Sequence, residues 1–487
     1  MIGTMATIDI TPMGAPTHSG LRHGLWWLPG SSARAPGTVE LGPDNRAVLT
    51  VQDQLVARDD GRNGQVVHGA LVDGTAVTLG AARLTRTTGR SGLTVGGNTY
   101  SVVQVWEAAG YFTDAHLDRP DSELFDTVSF ATPLLQQWVD PPTVRDQADF
   151  DDHDVASRRV VRVGIPASVT TDLPDIGRVT LWHPEGFEST NGGRRHVYTY
   201  QPTWTVHLET PRTAGDIYTN VALPLLVWTT FATGAGDRFT RLTLGRNTNP
   251  DRSLTWYPYG WSIDTGTTRA NLTVGHLLPY QTVGAKLPEL LSRWFTLYAN
   301  APGPLVQSCL ELLRGPSRHG GDDFLTTMRA AEGYHFKLHA MTRMPPADWD
   351  VLLGRVLGAT RTEQERDIVN GLLSSGNRPT LRRRLKDLQA RASPEVQSIA
   401  RAKRSAVEDA VALRNDFTHG SDPVMPDRFM NMGTGKLVVE FILRSVILQD
   451  LGFSATETDT LLQGSDAWAW LQSVDPEAGA TPQRQQR

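Results

Sequence analysis

Residues 287–299 read LPELLSRWFTLYA, and that stretch divides the chain. Its apolar residues return at the 3.6-residue period of a helix, whereas the sequence before it reads in steps of two. Downstream, residues 304–314, 323–341, 347–357, 362–373, 380–392, 394–417 and 426–451 keep the helical period. Asp323 opens one of these segments, and Ser393 stands just ahead of Pro394 at a first helical position, both of them helix-start chemistry. Within 394–417, Val396, Ile399, Val407, Ala410, Val411 and Phe417 recur at threes and fours. Such a stripe predicts a helix packed inside a bundle.

Working back from residue 287, short β-branched runs lie at 48–51, 65–72, 100–106, 159–165, 178–182 and 196–208. Asp-Gly, Gly-Gly and Pro punctuate them, which predicts an all-β sandwich or a partly closed barrel. All five lysines lie from Lys286 onward. The stretch Asp140–Asp154, with its paired prolines and DFDDHD at 149–154, reads as a connection between two lobes. The expected organisation is multidomain: a β-rich lobe over 1–145, a second over 146–285, an all-α domain over 286–474 and a disordered tail over 475–487.

Composition narrows the class. The chain has 487 residues, 39% hydrophobic and 20% charged, which suits two or three folded domains. A net charge of −5 argues against a uniformly polycationic nucleic-acid binder, although charge can be local. Such a local run exists over Gly376–Arg404, where Arg378, Arg382, Arg383, Arg384, Lys386, Arg391, Arg401, Lys403 and Arg404 face only Asp387 and Glu395. It could track a phosphate backbone or be a solvated helix face, and it has no interleaved aromatics for base stacking. The single cysteine, Cys309, forms no internal disulfide, the N-terminus lacks a secretory pattern, and no apolar run approaches the ~18 residues of a membrane span. The expectation is a cytoplasmic protein outside the membrane.

The chemistry concentrates in Arg414-Asn415-Asp416-Phe417-Thr418-His419, followed by Gly420. RNA can be cleaved without metal because its own 2′-hydroxyl adjoins the scissile phosphorus. Histidine titrates near neutrality and can move the proton, and arginine's fork can hold two phosphate oxygens. Asn415 and His419 are four apart, so Asn415 can orient the imidazole. Arg414 and His419 lie about 140° apart on an ideal helix, so convergence requires the last turn to loosen near Gly420 or the arginine to wrap. One histidine supplies one acid or base, and a second copy across a two-fold axis is the simplest source of the other. Alternatively, the two cations simply cap a helix C-terminus.

LRNDFTHG at 413–420 resembles the Arg-x4–6-His motif of HEPN ribonuclease domains. FLTTMRAAEGYHFKLHA at 324–340, with Glu332 before Tyr334-His335, resembles the matching helix of the ApeA-like branch, which is linked to phage-triggered abortive infection. GLWWLPG, GTVEL and VVHGALVDG, between residues 24 and 74, are similar to the ApeA N-terminal domain. Ala331 stands where that family usually has Leu. The resemblance implies a metal-independent endoribonuclease with Arg414 and His419 as its catalytic pair, Asn415 their companion, and Glu332 an acidic residue from a facing helix. It further implies RNA, with tRNA foremost, as substrate, a homodimer or higher homo-oligomer through the helical domain, and a phage-derived trigger. No cofactor is expected. His335 is expected to line the RNA cleft, and Arg382, Arg383, Arg384, Lys403 and Arg404 to hold the strand.

Glu332, His335 and His339 share a helical face at metal-ligand spacing, yet lack HExxH and an evident fourth ligand; His339 is expected on the surface. Nine of thirteen tryptophans precede residue 285 and could form carbohydrate platforms, or fill a core. The rival function is therefore a non-catalytic β-sandwich protein that binds a ligand or carbohydrate and oligomerises through its helices.

Overall fold

The computed structural model describes residues 7–12, 20–42, 45–56, 64–94, 97–139, 143–150, 156–164, 167–183, 185–190, 195–239, 241–246, 253–258, 276–314, 320–339, 342–373, 376–419 and 426–473. Side chains are described at these positions except 7–12, 90–101, 143–164, 185–200, 311–320, 419, 426–431 and 466. The expected tail over 475–487 lies outside the described residues. The chain forms two compact units, one of residues 1–270, 278–292 and 312–315, the other of 271–277, 293–311 and 316–487.

The first unit is mostly strand. In chain order come β1 (Thr7–Pro12), β2 (Gly20–Trp27), β3 (Ala35–Leu41), β4 (Arg46–Val51), β5 (Gln65–Leu71), β6 (Ala76–Thr94), β7 (Gly97–Thr113) and β8 (Leu124–Phe130). Helix α1 (Pro133–Trp138) precedes β9 (Thr143–Phe150), β10 (Ala156–Gly164), β11 (Val169–Leu173), β12 (Gly177–Trp182), β13 (Glu185–Thr190), β14 (Arg195–Tyr200) and β15 (Thr203–Thr213). Helices α2 (Ala214–Ile217) and α3 (Leu223–Thr233), strands β16 (Leu242–Gly245) and β17 (Leu254–Pro258), and helix α4 (Tyr280–Val283) follow.

Twelve of these strands make one sheet in the order β11-β12-β15-β8-β16-β17-β7-β4-β3-β2-β5-β6, and β6 pairs again with β7. That last ladder closes β7-β4-β3-β2-β5-β6 into an antiparallel six-stranded barrel. Inward residues alternate along its strands: Val39 and Leu41, Ala47, Leu49 and Val51, Val67 and Leu71, Val77 and Leu79. Trp26 fills the middle because Gly37 and Gly69 lack side chains. A Cβ on Gly37 would stand 2.8 Å from the indole Cδ1, and one on Gly69 would collide with the ring.

Several expectations change here. The lobes expected on either side of residue 145 are one unit sharing one sheet, since β17 pairs with β7 and β15 with β8. Pairing between strands so far apart in sequence leaves no trace in local periodicity. The connection expected over 140–154 contains a strand, β9, which pairs antiparallel with β10. The run at 196–208 is likewise two strands in different sheets, interrupted at Pro202, which has no ladder N–H to give. Trp26, Trp106, Trp138, Trp204 and Trp228 are buried, so these rings serve the core rather than a carbohydrate platform. Helix α3 is wholly buried, its three threonines included, and carries no charged residue; its lack of a solvated face hides it from a search for amphipathic periodicity.

The second unit is helical: α5 (Leu287–Asn300) and α6 (Pro302–Arg314), which straddle the division, then α7 (Gly320–Leu338), α8 (Pro346–Gly358), α9 (Glu363–Leu373) and α10 (Leu381–Arg391). After these come α11 (Pro394–Ala402), α12 (Arg404–His419), α13 (Pro426–Asp450), α14 (Ala455–Gln463) and α15 (Asp466–Ser473). The single helix expected over 394–417 is therefore two, which meet at Lys403 (φ −102°, ψ 29°). The hydrogen bonds continue through the bend, with Lys403 N donating to Ile399 O and Val407 N to Lys403 O. No Pro or Gly marks that bend. Helix α14 opens with a Ser454–Glu457 capping box.

Helix α13 is the axis of this unit, with Val438, Val439, Phe441, Ile442, Leu443, Val446, Ile447 and Leu448 all buried. It crosses α12 closely at Gly435, where an added Cβ would stand 2.5 Å from Ala406 O and 2.9 Å from Ala410 Cβ. Gly435→Leu is expected to push the two helices apart and destabilise the protein by roughly 1–3 kcal/mol. Urea denaturation followed by helical circular dichroism checks this, and an unchanged midpoint would contradict it.

Candidate active site

Three helices meet around one carboxylate. Glu332, on α7, accepts a hydrogen bond at Oε2 from Arg414 Nη2 of α12 (2.7 Å). Its Oε1 accepts from Arg384 Nη1 of α10 (3.0 Å). Charge-assisted bonds of this kind are the strong class, and each oxygen has its own guanidinium. Arg414 also donates from Nη1 to Asn415 Oδ1 at 3.4 Å. Two of its five N–H groups are thus directed at protein acceptors, which leaves donors for an anion.

Local packing fixes the geometry. Phe417, one turn beyond Arg414, lies 6.2 Å from the ring of Phe324 on α7 and ties the end of α12 to the start of that helix. Thr418 Oγ1 donates back to Arg414 O at 2.7 Å. Helix α12 continues unbroken to His419, so of the two routes to convergence the loosened last turn is not the one taken as far as residue 419, and the 140° offset from Arg414 stands. The side chain of His419, and Gly420 altogether, lie outside the described residues.

Arg384 is expected from sequence to hold RNA, and the structure corrects this. It is 8% exposed, with Nε donating to Pro379 O at 3.0 Å and its guanidinium 5.8 Å from the Phe336 ring centre. Lys403 and His335, at 6% and 1% exposed, are buried as well, so none of the three presents a surface to a strand. His335 Nε2 stands 3.5 Å from Asp387 Oδ2. Burial pushes its pKa below the ordinary 6.5, against the opposing pull of Asp387. His339, expected on the surface, is mostly covered instead, and its Nε2 lies 3.2 Å from Asp450 Oδ2, which also accepts from Tyr334 Oη at 2.7 Å.

The three groups at metal-ligand spacing thus turn to separate partners: Glu332 to arginines, His335 to Asp387, and His339, just past the end of α7, to Asp450. Among the described residues no group of three or more His, Cys, Asp or Glu is placed to hold a metal. Asp387 and Asp450 did not stand out in the sequence, because nothing in their own neighbourhoods marks them as partners of α7. The remaining expected strand-holding residues, Arg382, Arg383 and Arg404, are exposed. Arg382 and Arg404 share Glu408 Oε1 at 2.6 and 3.1 Å, and their hydrogen bonds hold that carboxyl below its usual range. Arg383 pairs with Asp387 at 3.1 Å.

The family described as ApeA N-terminal domain 1 matches residues 21–294, and the one described as Apea-like HEPN matches residues 325–457. The chain belongs to the ApeA-type HEPN family. The N-terminal match spans the barrel and its sheet extension, and the HEPN match contains Glu332, Arg384, Arg414 and His419. Membership gives the helical unit the character of a HEPN nuclease domain used in antiphage defence. No curated protein and no solved structure matches the chain. No helix among the described residues is long and apolar enough to cross a membrane.

Proposed function

We propose that this ApeA-type protein is a metal-independent endoribonuclease that cuts tRNA in the cytoplasm of a phage-infected cell, to the point of abortive infection. The observation that carries the reading is the Glu332–Arg414 pair inside the HEPN match, with Asn415 the next residue and His419 five residues further along α12 than Arg414. Arg414 holds the phosphoryl oxygens as charge grows on them. His419 takes the proton from the 2′-hydroxyl or returns one to the leaving 5′-oxygen. The 2′-oxygen–phosphorus bond forms as the bond from phosphorus to the 5′-oxygen breaks, giving a cyclic phosphate and a free 5′-hydroxyl. Asn415 orients the imidazole. A second copy, related by a two-fold axis, supplies the complementary acid or base, so the working species is a homodimer or a higher homo-oligomer. The β-barrel unit senses a phage-derived trigger and restrains the nuclease until then.

The test is direct: incubate the purified protein with total tRNA in excess EDTA. Wild type is expected to cleave and His419→Ala is not; inert wild type, or equal cleavage by both, removes the proposal.

A further inference from the structure

On the second unit, α10, α11 and α12 enclose an open groove of about 370 Å³. Its floor is aliphatic, with Leu385, Val407 and Val411. Its rim carries Arg382, Lys386, Arg401 and Arg404 against one lining carboxylate, Glu408, so four cations and one anion leave three positive charges. Glu408 already accepts from Arg382 and Arg404. Lys386 and Arg401 are exposed, and no ion pair among the described residues involves either of them. Uncompensated like charge around an apolar floor suits a ligand that is anionic along its edge and flat on its face.

We infer that this groove is a subsite for single-stranded RNA, with Lys386 and Arg401 on phosphates and the aliphatic floor against the face of a base. The assignment rests on the ribonuclease reading above and extends it to where the strand beside the scissile phosphate lies. Charge complementarity fits an RNA strand, and so does the course of α12. Val407 and Val411 line the groove, and the next residue in that four-residue step is Asn415, about 6 Å further along the axis. A strand leaving Arg414 along this helix therefore meets the groove next. On α10, Arg382 and Lys386 are likewise one turn apart, close enough for neighbouring phosphates. With no aromatic ring in the lining, base stacking contributes little, and binding is dominated by phosphate contacts with weak sequence preference.

The probe is a 2′-O-methyl oligouridylate, which cannot be cleaved because its attacking oxygen is blocked. Its affinity for the full chain is measured over a salt series by fluorescence anisotropy, for wild type and for Lys386→Ala/Arg401→Ala. Each phosphate contact on a single strand contributes about 0.7 to the slope of log affinity against log salt, so the double variant should flatten it by about 1.4. Affinity at low salt should fall about tenfold, the exchange Lys386→Arg/Arg401→Lys should restore both, and the melting temperature should not move. Lys386→Gln/Arg401→Gln, which keeps more of the side-chain bulk, should repeat the loss. Unchanged slope and affinity in the double variant, beside a wild type that cleaves tRNA, overturn the groove and leave the nuclease standing. Lost binding of poly-glutamate with unchanged oligouridylate binding also overturns it, in favour of an acidic peptide. A wild type that binds through Lys386 and Arg401 yet cleaves nothing upholds the groove as an RNA site and removes the ribonuclease reading instead.

Discussion

Glu332→Ala is expected to destabilise the helical unit by on the order of 3 kcal/mol and to abolish RNA cleavage together. Glu332 is the carboxylate that both Arg384 and Arg414 reach, at 3.0 and 2.7 Å. Without it the Arg384 guanidinium stays buried with only Pro379 O and the face of Phe336 to answer it. An uncompensated buried charge is the costly outcome; Glu332 itself retains some solvent contact, which sets the figure at the low end of the range for buried pairs. Arg414 loses its orienting partner at the same time. The two effects separate in a double variant. Glu332→Ala/Arg384→Met removes the buried cation as well, so it should regain most of the stability while cleavage stays lost. Chemical denaturation and tRNA cleavage read the two quantities independently. A double variant that regains cleavage would show that Arg414 needs no carboxylate to hold it, and a stable Glu332→Ala would show that Arg384 is not charge-compensated through Glu332.

Asp237→Asn is expected to flatten the dependence of stability on pH in the first unit. Asp237 is 3% exposed; its Oδ1 accepts from Leu134 N at 3.2 Å and from Arg238 N at 2.9 Å. Burial outweighs those bonds and pushes its pKa from 3.8 up to about 7. The folded chain therefore keeps a proton between these two values that the unfolded chain releases. Stability contributed in full below pH 3.8 drains away as pH rises and is gone above about 7. The difference of about 3 pH units corresponds to about 4 kcal/mol. Asparagine preserves an acceptor for both amides and never ionises. Urea denaturation at pH 5 and pH 8 should show wild type losing far more stability than the variant; equal losses would exclude Asp237 as the source.

How much was readable in advance depends on how local each feature is. The switch to a helical period at residue 287 and the bundle-facing stripe of 394–417 are local, and helices stand at both places. The bend at Lys403 is not, because the residues around it are ordinary helix formers and only the packing of α11 and α12 on their neighbours requires it. Helix α3 escaped because it has no solvated side for a period to show. Around the candidate site, the sequence put Glu332 and Arg414 in one proposal, and they stand 2.7 Å apart. It sent Arg384 and Lys403 to a surface, since a run of cations reads alike whether its members are solvated or turned inward, and it set His335 against RNA although that ring is buried.

The sequence alone determined the order of a β-rich part before a helical one, the faces that seek burial, and the residue types able to bind and cleave a phosphodiester. Each is carried by a few neighbouring positions, within reach of helical and strand periodicity. Tertiary structure alone decided that β6 returns to β7 to close a barrel, and that one carboxylate on α7 gathers arginines from α10 and α12. Periodicity specifies that a face is buried but is silent on what covers it, and the choice of partner is made only when distant segments compete for the same core.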